Sequence, residues 1–425
     1  MDSDPTIQAA HDILQGRSRK GPLARLLVFM GPAFIASVAY MDPGNFATNV
    51  QGGAQFGYML LWVVVASNLM AMLIQALSAK LGLATGKNLA EICREEYPPW
   101  LVWIMWALME GVAMATDLAE FLGAAVGFNL LFGIPLWLAG LITAVATFLI
   151  LGLERRGFRP LEAVITVFVG VIALCYLVET ILGKPDWAQV LHGSITPRFQ
   201  GGESVLLAAG ILGATVMPHV IFLHSALTQG RIVVKEPALR RKLYRYELVD
   251  VLVALGVAGA INAAMLIMAA CTFHGTGLAS SGSLEETYKT LEPLLGRSAS
   301  WVFAVSLLAA GLSSSSVGTM AGQVIMQGFL RRHVPVWLRR LATMAPTLVV
   351  IALGLDPTRT LVLSQVVLSF GLPFAVIPLV QFTRRRDLMG ELANRPATTA
   401  VAGAIAVLIV ALNFYLLYQT LAGGP

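Results

Sequence analysis

The chain has 425 residues, of which 12 % are charged and 57 % hydrophobic, with a mean hydropathy of +0.74. A soluble globular chain carries about 25 % charged residues, so a soluble protein is excluded, as are a disordered chain, a collagen, a coiled coil and a disulfide scaffold. The formal net charge of +5 would suit nucleic acid, but in a membrane protein Lys and Arg collect in the loops on one side of the bilayer, so their placement decides.

Residues 1–25 are polar and charged with no apolar core, which predicts no cleavable signal peptide. A helix needs about 20 apolar residues to cross the hydrocarbon. Charge-free stretches, divided by turn signals at 52–57 and at Gly133-Ile134-Pro135, predict eleven helices: 27–51, 56–80, 100–127, 135–153, 161–182, 204–229, 247–273, 298–329, 335–354, 359–383 and 397–420. With the N-terminus inside, 24 of the 29 Lys and Arg fall on the inner side, and only Lys184, Arg198, Lys289, Arg297 and Arg359 on the outer side. That asymmetry requires an odd helix count, puts the C-terminus outside, leaves no cation deep in a span and removes the need for nucleic acid. Cys93, Cys175 and Cys271 show no paired spacing, which predicts free thiols.

Helix 1 carries Asp42-Pro43-Gly44-Asn45 and helix 6 carries Met217-Pro218-His219, each a breaker near the middle of its span. Proline removes a backbone donor and clashes with the preceding turn, and freed carbonyls in hydrocarbon are tolerated only where they are buried in protein or line a cavity. Helices 1 and 6 open two successive sets of five, and because five is odd the second set starts from the opposite side. Breakers at matching positions in two such halves point to an inverted-repeat transporter with its site at the midplane. The expected organisation is an inner N-terminal tail over 1–26, repeat one over 27–182, an outer loop over 183–203, repeat two over 204–383, an inner loop over 384–396, and helix 11 with an outer C-terminus over 397–425. Pro346 and Pro373 read as simple kinks.

Asp42 is the only charge between residues 26 and 79. An intramembrane carboxylate costs about 2.5–3.5 kcal/mol even on the milder insertion scale, so it needs a cation, a proton or a partner. Asn45 adds an amide oxygen, Met217 a thioether, and the carbonyls before each proline add hard oxygens. A sulfur ligand among oxygens favours softer transition metals over Mg²⁺ and Ca²⁺; alternatively Met217 only packs. On helix 3, Asp117 falls about 20° and Glu120 about 80° from Glu110 around the axis. This acidic stripe without an internal cation reads as a proton relay, or as protonated acids bonded to neighbours. His219 could pass protons near neutral pH, and His224, on another face, reads as a structural hydrogen-bonder. Gln365 on helix 10 reads as ligand or as interhelical glue. Gly318, Gly322 and Ser313 to Ser316 read as close helix packing. No metalloprotease, nucleophile-elbow, P-loop or dinucleotide motif occurs.

With these motifs the chain resembles the Nramp family of proton-coupled divalent metal transporters, over about residues 27–420. Ala115 to Glu120 and Ser364-Gln365 also look like family positions. The resemblance implies an all-α integral membrane protein of the LeuT type, two inverted five-helix repeats plus an eleventh helix. It implies metal ligands at Asp42, Asn45 and Met217, the carbonyls of Ala39 and Ala214, and Gln365 in an occluded state. It implies a proton pathway through Glu110, Asp117 and Glu120 toward Arg339 and Arg340. The family's magnesium-transporting relatives lack the methionine that this chain keeps. The expectation is a monomeric importer of Mn²⁺, and of Fe²⁺ and similar ions, driven by protons in a bacterial inner membrane, with no cofactor and no enzymatic activity. A sodium-coupled amino-acid transporter of the same fold is the alternative, disfavoured because Asp42 would repel a substrate carboxylate. An intramembrane hydrolase lacks its nucleophile, and a passive channel fits paired broken helices less well.

Overall fold

The computed structural model describes residues 5–19, 21–154, 158–234, 236–276 and 283–421, and they are helical with turns and no strand. Helix 1 comes as three pieces, Pro22–Phe29, Pro32–Ala39 and Pro43–Phe56, the last two being helices 1a and 1b. Each piece opens on proline, whose missing N–H is not needed in a first turn and whose φ suits a helix start. Helices 2 to 5 span Leu61–Thr85, Pro99–Phe132, Leu136–Glu154 and Phe158–Gly183. Helix 6 is Gly201–Val216 (6a) and Pro218–Thr228 (6b), and helices 7 to 11 are Pro237–Phe273, Arg297–Leu330, Val336–Ala352, Pro357–Thr383 and Pro396–Leu421. The predicted breaks at Asp42 and Met217 are therefore present.

Among the described residues eight helical stretches are long and apolar enough to cross a membrane. Helices 1b and 2 form one such stretch, Pro43–Thr85, because the chain passes between them through a single 3₁₀ turn at Gly57–Leu60. Helix 4 counts only as a shorter apolar helix, Leu136–Ile150, and helix 9 has 17 residues.

Among the described residues five helices lie outside the predicted spans: Pro5–Leu14, Leu89–Glu96, Trp187–Ile195, Leu284–Leu295 and the single turn Arg386–Met389. They are too short for a 20-residue apolar search, and three of them are set by caps instead. Asn88 and Glu91 form a reciprocal capping box, Asp186 accepts from the N–H groups of Ala188 and Gln189, and Ser283 accepts from Glu286. Helix 7 begins ten residues before its expected start. The loop cations Lys20, Arg155, Arg156 and Lys235 lie outside the described residues. Cys93 and Cys175 are buried, Cys271 is half-buried, and all three are free thiols.

Helix 3 packs along helix 8, helix 7 against helices 1b and 2, and helix 6a against helix 10. The closeness of the first contact depends on Gly311, where a Cβ would stand 2.7 Å from the Ala124 nitrogen and the Glu120 carbonyl oxygen. Behind the break, Asp250 of helix 7 accepts from the N–H groups of Gly31 (3.1 Å) and Ala33 (3.0 Å). Arg231 donates to the carbonyls of Phe29 (3.1 Å) and Met30 (3.3 Å). Both ends of the helix 1 discontinuity at Gly31 are thus satisfied by side chains from the second half of the chain.

Candidate metal site and its charged flank

Asp42 sits in extended backbone (φ −77°, ψ 167°) and caps helix 1b, its Oδ1 accepting from the Asn45 backbone N–H and from Asn45 Nδ2, both at 2.8 Å. A carboxylate there faces the positive end of the helix dipole, which offsets part of its desolvation. The backbone of Met217 (φ −2°, ψ 108°) separates helices 6a and 6b. Pro43 and Pro218 have no N–H to give the carbonyls four residues earlier, which belong to Ala39 and Ala214. Asn45 Nδ2 donates to the Ala214 carbonyl at 3.1 Å, so one side chain of helix 1b spans both breaks. Gln365 closes the group from helix 10. A Cβ on Gly44 would stand 1.8 Å from Gln365 Nε2, and one on Gly213 would stand 2.1 Å from the Gln365 carbonyl oxygen. The two glycines are what let helix 10 lie on both breaks.

Asp42, Asn45, Met217, Ala39, Ala214 and Gln365 are all buried. Three oxygens of this group, Asp42 Oδ2, Asn45 Oδ1 and Gln365 Oε1, have no hydrogen-bond partner among the described residues. Buried polar atoms are paired in nine cases out of ten or more, so three unpartnered oxygens at one place make this group a candidate cation site.

Helix 3 touches the break where a Cβ on Gly123 would stand 2.0 Å from Pro43 Cβ. One turn before Gly123, Glu120 lies within electrostatic reach of Asp42, Asp117 and Arg340. The expectation of a stripe without an internal cation is overturned here. Arg340 is 1 % exposed and its Nη1 pairs with Asp117 Oδ1 at 2.6 Å, while Arg339 Nη2 pairs with Glu110 Oε1 at 2.8 Å. By sequence these two arginines, within the predicted helix 335–354, count among the cations of the inner side. They stand in the first turns of helix 9 and turn inward, where buried carboxylates repay the loss of water. The glycines read as packing make room for this charge. A Cβ on Gly322 would stand 2.1 Å from Arg339 Nη2, and one on Gly318 2.7 Å from Glu120 Oε2. Arg339 also donates to the Gly322 carbonyl, and Arg340 to Thr319 Oγ1 at 3.1 Å. Both Glu120 oxygens lack a partner among the described residues.

His219 follows the helix 6 break and reaches helix 3: its Nδ1 lies 3.3 Å from Thr116 Oγ1, next to Asp117, while its Nε2 has no partner among the described residues. His224 is the structural hydrogen-bonder expected, with Nδ1 2.9 Å from Gln75 Oε1, and Gln75 Nε2 donates to the Tyr40 hydroxyl at 2.7 Å. Sequence reading passed over Gln75, Asn49, Asn262 and Asp250, and took Arg231 only as an inner-side cation. Asn262 donates to the Tyr40 carbonyl at 2.7 Å and accepts from Asn49 at 2.9 Å, holding the turn before Asp42. A search for amides inside apolar helices would have found Gln75, Asn49 and Asn262, since such groups are rare there and seek partners. Among the described residues no cluster of three His, Cys, Asp or Glu could hold a metal.

Fold and site together define the class: a multi-pass membrane protein of the LeuT type, with two broken helices facing each other and a polar group between them. Residues 33–419 match the family described as Nramp, natural resistance-associated macrophage protein-like, and the chain belongs to that family. It is 57 % identical over 410 residues to the divalent metal cation transporter MntH of Deinococcus radiodurans, covering 96 % of this chain and 94 % of that protein. It is 52 % identical over 416 residues to MntH of Bacillus subtilis, covering 98 % and 97 %. A crystal structure of the Eremococcus coleocola manganese transporter superposes with a TM-score of 0.86 at 35 % identity, covering 96 % of this chain and 91 % of that one. The nucleobase-cation symporter Mhp1 in a closed conformation, at TM-score 0.59 and 15 % identity, shares the fold.

Proposed function

We propose that the protein is a proton-coupled importer of Mn²⁺, and of Fe²⁺ and similar transition-metal ions, working as a monomer in a bacterial inner membrane with its N-terminus in the cytoplasm and its C-terminus outside. The observation that carries this reading is the trio of unpartnered buried oxygens on Asp42, Asn45 and Gln365. The relatives named as divalent metal and manganese transporters support the substrate class, and the excess of Lys and Arg in the inner segments supports the orientation.

In this reading the ion exchanges water for Asp42, the Asn45 amide oxygen, the Met217 thioether and the carbonyls of Ala39 and Ala214, with Gln365 joining as the site occludes. Asp42 supplies charge, and the helix 1 and 6 breaks supply carbonyls without the cost of unwinding a helix for each ion. The thioether selects against Ca²⁺ and Mg²⁺, which prefer oxygen alone. Rocking one set of helices against the other exposes the same site to each side in turn.

Metal and proton carry like charge, so separate exits ease their repulsion. The proton passes from Asp42 by Glu120 and His219 to Asp117 and then Glu110, toward the cytoplasm, with Arg340 and Arg339 favouring the ionised acids along the way. A membrane potential drives either ion by about 2.3 kcal/mol per charge per 100 mV.

The test is uptake into proteoliposomes of Mn²⁺, Fe²⁺, Ca²⁺ and Mg²⁺ with internal pH read at the same time. Mn²⁺ uptake should acidify the lumen, with Ca²⁺ and Mg²⁺ neither entering nor competing. Mn²⁺ uptake with no proton movement overturns the coupling, and no divalent uptake overturns the function.

A further inference from the structure

The rule that frees the Ala39 and Ala214 carbonyls from their helical bonds applies again on helix 10. Pro373 lies inside Pro357–Thr383 and has no N–H for the carbonyl of Ser369, four residues earlier. That carbonyl is not left open. Asn413 of helix 11 donates its Nδ2 to it at 2.8 Å, and its Oδ1 accepts from the Ser369 hydroxyl at 3.0 Å. Ser369 is fully buried and Asn413 is 6 % exposed. On either side of Asn413, Leu412 and Leu416 pack with Val366 and Phe370 of helix 10 and with Ala209 of helix 6a.

Ser369 is one turn from Gln365, and this turn is gripped on its other faces by glycine contacts. Gly213 of helix 6a abuts the Gln365 carbonyl and the Ser369 nitrogen, where a Cβ would stand 2.1 and 2.9 Å away, and Gly44 lies under the Gln365 amide. Helix 11 lies outside both five-helix repeats, yet it supplies the hydrogen bond that replaces the one Pro373 cannot make.

We infer that Asn413 is a positioning residue for the metal site: by capping the Ser369 carbonyl it sets the bend of helix 10, and so the direction from which Gln365 meets the ion. This rests on the reading of Gln365 as a ligand. Without the cap, the buried carbonyl must find another donor, and the turn carrying Gln365 shifts to supply one.

The experiment measures Mn²⁺ binding to purified full-length protein by calorimetry, and Mn²⁺ uptake in proteoliposomes, for Asn413→Leu, Gln365→Ala and the double variant. Removing an outer support of a metal ligand weakens affinity by about tenfold. Asn413→Leu should therefore raise both Kd and KM by about that factor, with maximal uptake within about twofold of wild type. In the Gln365→Ala background the same substitution should cost nothing further, because the group it positions is gone. Asn413→Ala, which removes the donor without adding bulk, should behave as Asn413→Leu does, and stands in for it should the leucine variant not fold. Unchanged Mn²⁺ affinity in the Asn413 variants, or an equal loss with and without Gln365, overturns the inference. Unchanged affinity in Gln365→Ala alone sinks the ligand reading instead, so the two failures are told apart.

Discussion

Two neighbouring regions bury carboxylates in opposite ways. At the break between helices 1 and 6, Asp42 has one oxygen engaged by Asn45 and the other unpartnered among the described residues. Along helix 3, Asp117 and Glu110 are each paired with an arginine of helix 9, Glu110 through Oε1 alone, its Oε2 having no hydrogen-bond partner among the described residues. An unpartnered carboxylate oxygen beside unpartnered amide oxygens is offset by a cation or a proton, which is what the metal role proposed for the break would supply. A closed ion pair needs none, and its charges serve to hold the bundle and to bias where a proton rests. The difference teaches that an intramembrane acid is not read by its presence but by what faces it.

The largest effect that would break this comparison is on stability. Arg340→Met leaves Asp117 buried without its partner, which costs about 3–5 kcal/mol, and should show as a loss of monodisperse protein and a lower melting temperature in detergent. Arg340→Met with Asp117→Leu removes both charges and should recover most of that loss. A single variant as stable as wild type would mean that the pair is not closed as described.

Next comes the open carboxylate. Asp42→Asn removes the anion without creating an unpaired charge, so folding should be kept while Mn²⁺ uptake falls by about 100-fold, the upper end of the losses seen around metal sites. Wild-type uptake by this variant would remove Asp42 from the ligand set.

Met217→Ala should keep part of Mn²⁺ uptake while letting Ca²⁺ compete about tenfold better, equal to about 1.4 kcal/mol of lost discrimination. If Ca²⁺ is excluded as before in competition assays, selectivity lies elsewhere. The smallest effect concerns protons. Asp117→Asn keeps an oxygen for Arg340, and Glu120 remains within electrostatic reach, so the fold should hold while the ratio of H⁺ to Mn²⁺ entering the same vesicles drops by about threefold, or about 0.7 kcal/mol. A ratio that stays fixed while both fluxes fall would make the helix 3 acids structural.

Much of the site was legible along the chain. Asp42, Asn45 and Met217 lie within three residues of a mid-span proline, and the proline arithmetic that frees Ala39 and Ala214 is a matter of counting back four. What stayed illegible depended on pairs far apart in sequence. Arg340 and Asp117 are separated by 223 residues; the charge count placed the arginine only on the inner side, and only the family resemblance linked it to the helix 3 acids, because composition cannot say which way a side chain in a first turn points. Pro373 read as a plain kink for the same reason, since Asn413, its compensating donor, is 40 residues away on another helix.

The membrane class, the long apolar spans and the positions of the two breaks were determined by the sequence alone, because hydropathy, charge and the missing proline N–H act within a few residues of where they occur. The tertiary structure alone decided which freed carbonyls stay open and which are closed, and which acids meet a cation. Asn45 reaches Ala214, Gln365 lies on Gly44, Arg340 turns to Asp117 and Asn413 covers Ser369. The reason is physical: in a low-dielectric interior the energy of a polar group is set by its partner within about 3 Å, and that partner is chosen by packing between helices rather than by neighbours in the chain.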